Sequence, residues 1–135
     1  MTEFTFPAVV PYLYYADATR AFDFLVSAFG FVEHSVLRGD DGAVWNAQLR
    51  IGDGLVMIGP GLAAFGTCGI DGPGDVPSRV HVLVDDVDAH CERARAAGAT
   101  IRDEPADHGD VHIYLAIDPG HHQWIFAQPR VRDQT

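Results

Sequence analysis

The chain states nearly the same pattern twice, and that repetition limits what it can fold into. Val9 to Tyr15 is an apolar and aromatic run of strand character, followed by Asp17 as a helix N-cap. From Ala18 the period becomes helical, with Phe22, Leu25, Val26 and Phe29 forming one apolar stripe and Gly30 closing the helix. Strands are expected over Phe31 to Leu37, Val44 to Ile51 and Leu55 to Ile58, separated by Gly39-Asp40-Asp41-Gly42 and Gly52-Asp53-Gly54 turns. The second half repeats the order. Arg79 to Val84 reads as a strand and Asp85 or Asp86 as a cap. Val87, Cys91, Ala94 and Ala97 form a helical stripe that Gly98 ends. Strands follow at Ala99 to Arg102, His112 to Ile117 and Gln123 to Ala127. Ala28-Phe29-Gly30-Phe31 aligns with Ala96-Ala97-Gly98-Ala99, and Leu49 to Gly54 aligns with Leu115 to Gly120.

Each half is a βαβββ module, so the expected class is α+β. Residues 1–135 form a single domain, with one module at 8–58 and the other at 79–128. Residues 59–78, with six glycines and three prolines, read as a linker. Modules this small gain stability by packing on each other. The 47% hydrophobic content argues against disorder. No apolar run nears the roughly 20 residues that span a bilayer, and Met1 to Phe6 lacks the basic and apolar regions of a secretory signal. A cytoplasmic location is therefore expected, with Cys68 and Cys91 as free thiols. Every basic residue is arginine, and the net charge of -10 opposes nucleic acid and anionic membranes. It favours cationic small molecules.

Several segments together resemble the vicinal oxygen chelate superfamily, which groups glyoxalase I, extradiol dioxygenases and the bleomycin-resistance proteins. They are Val10-Pro11-Tyr12-Leu13 with Asp17 and the helix ending Ala28-Phe29-Gly30, then Ala47 to Asp53, then Val84 to Ala89 leading to Ala96-Ala97-Gly98-Ala99. The last runs from Tyr114 through Asp118-Pro119 to His122 and Trp124. Gly120-His121 departs from the acidic residue and glycine usual between that proline and histidine. The resemblance implies that each module curls its strands into a cup, that two modules meet edge to edge around a pocket, and that subunits pair as homodimers. Metal-dependent members place His, Gln or Glu on four strands. The matching positions here are Val10, Met57, Arg79 and Ile125, none a usual ligand, and an arginine repels a dication. No metal and no cofactor are therefore expected. A displaced divalent-metal site using His81 and His112 is the alternative.

Strand parity names a cup lining. In Val44 to Ile51 the set Trp45, Ala47, Leu49 and Ile51 is apolar and assigned to the helices, leaving Asn46 and Gln48 for the cup. The same argument gives Ile113, Leu115 and Ile117 to the helices, with His112 and Tyr114 facing the cup. Tyr12 and Tyr14 follow the parity of Val10, and His81 that of Arg79. The expected ligand-binding set is Tyr12, Tyr14, Asn46, Gln48, Met57, Arg79, His81, His112, Tyr114 and Ile125. Aromatic faces with a few polar handles suit a small aromatic molecule, with cationic ones favoured by the net charge. Arg79 would pair with a ligand carboxylate, and His81 or His112 would serve as acid or base. An enzyme of the same superfamily, a lyase, isomerase or dioxygenase, is the alternative to a metal-free binder. Trp124 and Phe126 are read as core, and His90 as facing solvent or a subunit contact. Cys68 is a weak candidate nucleophile, and no Gly-x-Ser-x-Gly elbow exists.

Overall fold

The computed structural model describes residues 4–129. The first half comprises β1 (Tyr12–Tyr15), α1 (Ala18–Phe29), β2 (Val32–Arg38), β3 (Val44–Ile51) and β4 (Gly54–Pro60). A single 3-10 turn at Ala63–Phe65 follows. The second half comprises β5 (Val80–Leu83), α2 (Val87–Ala96), β6 (Thr100–His108), β7 (Val111–Ile117) and β8 (Gln123–Pro129).

Local chemistry sets the helix ends. The Asp17 carboxylate accepts the Arg20 N–H at 3.0 Å, and Asp86 accepts the Ala89 N–H at 3.1 Å, each satisfying an orphan donor of a first turn. Gly30 takes φ +78°, and its N–H bonds the Leu25 carbonyl. That left-handed turn suits a residue without a Cβ. Along α1, Ala21, Phe22, Leu25, Ala28 and Phe29 are buried as one stripe. On α2 the stripe is Val87, Cys91 and Ala94. Ala97, expected to extend it, is instead the exposed C-cap residue, because the helix has already begun to unwind there.

The strands form two open four-stranded sheets, ordered β1-β4-β3-β2 and β5-β8-β7-β6, with no closed barrel. Both are mixed. β1 runs parallel to β4 with Tyr12 beside Met57, and β5 runs parallel to β8 with His81 beside Ile125. The remaining neighbours are antiparallel. β6 is longer than the expected Ala99 to Arg102, and two register shifts bend it on its way to His108.

The helix-side faces of the two sheets share one core. Phe29, the last residue of α1, meets the rings of Trp124 and Phe126 from β8 at 5.7 and 4.7 Å, and Phe31 meets Trp124 at 5.4 Å. Trp124 and Phe126 are fully buried, as parity predicted. A buried aromatic of this size contributes about 1.5–3 kcal/mol relative to exposure, so this contact welds the modules together. Trp45 does not join the core. A register shift between Leu37 and Arg38 places a bulge at the start of β3. There Val44 turns inward, its N–H held by the Thr19 hydroxyl, and Trp45 is left 49% exposed.

Candidate functional site

With both helix faces turned inward, the opposite faces of the two sheets look outward as separate walls. The first wall carries Tyr12, Tyr14, Asn46, Gln48 and Met57. Tyr12 and Tyr14 stand two residues apart on β1 with their rings stacked at 4.6 Å and 15°. The Asn46 amide donates to the Tyr12 hydroxyl at 2.9 Å, fixing the outer ring. Gln48 and Met57 are paired across β3 and β4 and are half-buried. A Cβ at Gly59 would collide with the Trp45 carbonyl at 2.9 Å and crowd the Tyr12 hydroxyl at 3.0 Å, so the missing side chain makes room for the neighbouring strand and the phenol together. Arg50 lies on the same strand parity, with its guanidinium 4.1 Å from the Phe4 ring and its Nε buried without a partner.

The second wall carries Arg79, His81, Ile113, Leu115 and Ile125. Arg79 and Ile125 border a small cavity of about 120 Å³ with Ile113 and Leu115. The Arg79 Nε donates to Gln123 Oε1 at 2.8 Å, and the Gln123 amide reaches back to the Gly74 carbonyl at 3.5 Å. A larger cleft of about 730 Å³ opens beside it, bordered by Gly74 to Arg79, Arg102, Ile117 and Gln123. Gln123 and Arg102, expected only as strand residues, are not in the expected ligand-binding set. Gln123 has the parity of Ile125, a signal available in the sequence. Arg102 is placed by the irregular register of β6, which no periodicity discloses.

His112 and Tyr114 are not on this wall. Both belong to the helix side, the reverse of the assignment made from the apolar set of β7. Tyr114 is fully buried and bonds the ring of His90 on α2 at 2.5 Å, while His112 lies between Asp107 at 2.7 Å and Asp88 of α2 at 2.9 Å. The reason is that β7 is apolar on both faces. Ala116, completely buried, lets α2 approach closely, and the wider Ile113 and Leu115 fall on the opposite face, where Leu115 is itself buried. His81, exposed on β5, therefore shares no face with His112, and the two cannot act on one substrate atom or one ion.

His90 also differs from expectation. It is half-buried between the modules, with Nε2 against the Phe29 carbonyl at 2.8 Å and Nδ1 against the Tyr114 hydroxyl. The carbonyl requires Nε2–H as donor, so Nδ1 accepts the phenol proton. Burial holds its pKa below the usual imidazole value, and burial raises that of Tyr114. The two Asp partners of His112, Asp88 first, raise its pKa.

A second junction centres on Asp118, 3% exposed. Its Oδ2 accepts the Tyr15 hydroxyl at 2.6 Å and Trp124 Nε1 at 3.0 Å, while Oδ1 accepts the N–H groups of Gly120 at 2.9 Å and His122 at 3.0 Å. Burial, followed by the Asp118 charge, pushes the Tyr15 phenol well above its ordinary range. The Gly120-His121 departure falls here. A Cβ at Gly120 would overlap the Tyr15 ring, and His121 accepts φ +70°.

The residues present do not fit a metal centre of the resembling family. Among the described residues no group of three or more His, Cys, Asp or Glu side chains converges on one point. Val10, Met57, Arg79 and Ile125 offer no usual ligand, and the Arg79 cation opposes a dication. Cys68 is exposed and Cys91 buried, both as free thiols. Among the described residues no helix is long and apolar enough to cross a membrane.

Two βαβββ modules with open, half-polar walls define a fold of the vicinal oxygen chelate type. Residues 6–126 match the Glyoxalase/Bleomycin resistance protein/Dioxygenase superfamily, and the chain belongs to that family. An uncharacterised protein of Mycobacterium bovis is 38% identical over 128 residues, covering 91% of this chain and 84% of its own. Among solved structures, TioX from Micromonospora sp. ML1 is similar with a TM-score of 0.69 and 31% identity, over 95% of this chain and all of its own. TnmS3 from Streptomyces sp. CB03234, an antibiotic-binding protein, has a TM-score of 0.67 at 23% identity, covering 91% and 97% of the two chains.

Proposed function

We propose that this protein is a metal-free binder of a small aromatic molecule, which stacks on the Tyr12–Tyr14 wall. The observation that carries the reading is the pair itself. Two stacked phenols stand on a sheet face that no helix among the described residues covers, the outer one 40% exposed and fixed by Asn46. A rigid ring face of this kind loses little conformational freedom when a planar ligand is added. The donor set, poor in metal ligands, supports binding over metal-assisted turnover. TnmS3 shows the same fold serving as an antibiotic binder. A homodimer, in which another copy's open sheet closes over the wall, supplies the enclosure that one chain lacks. Val9 and Leu83, both exposed along one groove between the N-terminal segment and β5, favour contact with a second copy. The protein works in the cytoplasm in this reading.

The test is a thermal-shift screen of planar heteroaromatic compounds on the full chain. A ligand at 100 times its Kd adds about 2.7 kcal/mol of stability. Tyr12→Ala and Tyr14→Ala should each abolish the shift. Silence across the screen, or shifts that survive both substitutions, contradicts the reading. About one equivalent of bound transition metal in protein purified without chelator contradicts its metal-free part. Sedimentation at micromolar concentration checks the dimer, and a monomer throughout contradicts that part.

A further inference from the structure

The chain is strongly acidic, yet a cleft of about 730 Å³ in the second module has guanidinium groups on its rim. Cationic side chains number nine against 19 acidic ones, so where the arginines point is informative. Arg38 bonds the Gly42 carbonyl, Arg50 faces Phe4, Arg93 bonds the Val26 and Ser27 carbonyls, and Arg95 pairs with Glu92 and Glu104. Arg79 and Arg102 border the cleft of about 730 Å³ instead. Arg79 is oriented by a side chain that is itself fixed. Gln123, 6% exposed, accepts a hydrogen bond from the Arg79 Nε–H and donates to the Gly74 carbonyl. The two terminal nitrogens of Arg79 make no hydrogen bond or ion pair among the described residues, which leaves the end-on edge of the fork free. Arg102 spends Nη1 on its exposed neighbour Asp103 at 3.1 Å, a pairing worth little in water, and keeps its other donors. One carboxylate, Asp75, shares the rim. The net charge of -10 acts over distance and is screened beyond roughly 10 Å at 0.1 M salt, so the local pair decides what the cleft accepts.

We infer that this cleft is an oxyanion site: Arg79 and Arg102 hold a carboxylate or phosphate group of the ligand beneath residues 74–78. A planar guanidinium pre-set by Gln123 matches either group through two parallel N–H bonds. Arg79 also borders the small cavity whose apolar side is Ile113, Leu115 and Ile125 and whose other side carries Asp103, Glu104 and His108, so an apolar body attached to the acid has a place to lie against the three aliphatic side chains. The inference rests on the small-molecule-binding reading above and replaces a cationic ligand with an acidic one.

Benzoate, phenyl phosphate and uncharged benzamide are titrated into the full chain at low ionic strength, by calorimetry or amide chemical shifts. Benzoate, phenyl phosphate or both should bind and benzamide more weakly. The tighter of the two acids identifies the headgroup. Arg79→Gln and Arg102→Gln should each weaken the acid roughly tenfold, as loss of a charge-assisted pair does. Arg20→Gln, on an exposed arginine elsewhere, should leave binding unchanged, and Asp75→Asn should strengthen it. If Arg79→Gln does not fold, Arg79→Lys keeps the charge, loses the fork and should bind more weakly than wild type. Acid affinities unmoved by the cleft substitutions, benzamide binding as tightly as benzoate, or no binding of either acid at millimolar concentration overturns the inference. Stacking on the Tyr12–Tyr14 wall that persists alongside any of these outcomes leaves the binder reading standing and this site alone refuted.

Discussion

Replacing Tyr15 by Phe removes a single oxygen from the junction between the modules and keeps the ring. That oxygen donates at 2.6 Å to Asp118 Oδ2, in a pair where Tyr15 is 1% and Asp118 3% exposed. A hydrogen bond to a charged, buried acceptor contributes about 1.5–3 kcal/mol. Asp118 keeps three other donors in the variant, from Trp124, Gly120 and His122, which places the expected loss toward the lower half of that range. In a chain of this size each kcal/mol moves Tm by about 3–5 °C, so Tyr15→Phe should melt about 5–10 °C lower. The assay is urea unfolding followed by far-ultraviolet dichroism, with the slope unchanged so that the midpoint reports stability alone. Tyr14→Phe is the control. Its hydroxyl has no partner among the described residues, and its loss should cost under about 0.5 kcal/mol. Equal stabilities for the two variants would refute the view that Asp118 is held as a buried anion by donors from both halves.

Three further outcomes follow from the same contacts. His90 and His112 should tilt the pH profile in opposite directions. His90 has its pKa depressed below 6.5, so its neutral form favours the fold and stability falls as pH drops below 6.5, whereas the raised pKa of His112 gives stability that is full below 6.5 and lost as pH rises through the folded value. Unfolding free energies from about pH 5 to 8 should therefore flatten on the acid side in His90→Gln and on the alkaline side in His112→Gln, and unchanged slopes would count against both assignments. A disulfide reagent should label Cys68 in the native protein and reach Cys91 only after denaturation, since Cys91 is buried and burial raises its thiol pKa. Gly30→Ala should cost about 1–2 kcal/mol in the same urea assay, because φ is +78° and the new Cβ would lie 3.0 Å from the Arg93 guanidinium.

The helices were legible because their ends are chemical: Asp17 and Asp86 accept first-turn N–H groups where expected, and Gly30 and Gly98 take positive φ. Period-two parity placed Asn46 and Gln48 together, since β3 buries Ala47 and Leu49 on one side and half-exposes Asn46 and Gln48 on the other, while Met57, and Tyr12 and Tyr14 through the parity of Val10, were placed by the family resemblance. Parity failed on β7, where Ile113 and Leu115 alternate with Tyr114 and Ala116 and both sets are apolar. What broke the tie was His90, a partner on another element that supplies the Tyr114 hydroxyl with an acceptor. Trp45 was lost to a one-residue bulge, which reverses sides without leaving a mark in the hydrophobic pattern. The cleft at Arg79 depends on residues 74–78 folding back to Gln123, a long-range closure that no local rule contains.

The division of labour between the faces of each strand has a consequence for mutation. On β1, Leu13 and Tyr15 belong to the shared interior while Tyr12 and Tyr14 look outward, and β8 separates Trp124 and Phe126 from Ile125 in the same way. Outward residues can thus be exchanged one at a time with little disturbance to the interior that keeps the molecule folded. Mutation at the alternate positions therefore changes the chemistry of the open face, whereas mutation at the intervening ones costs packing in the shared interior.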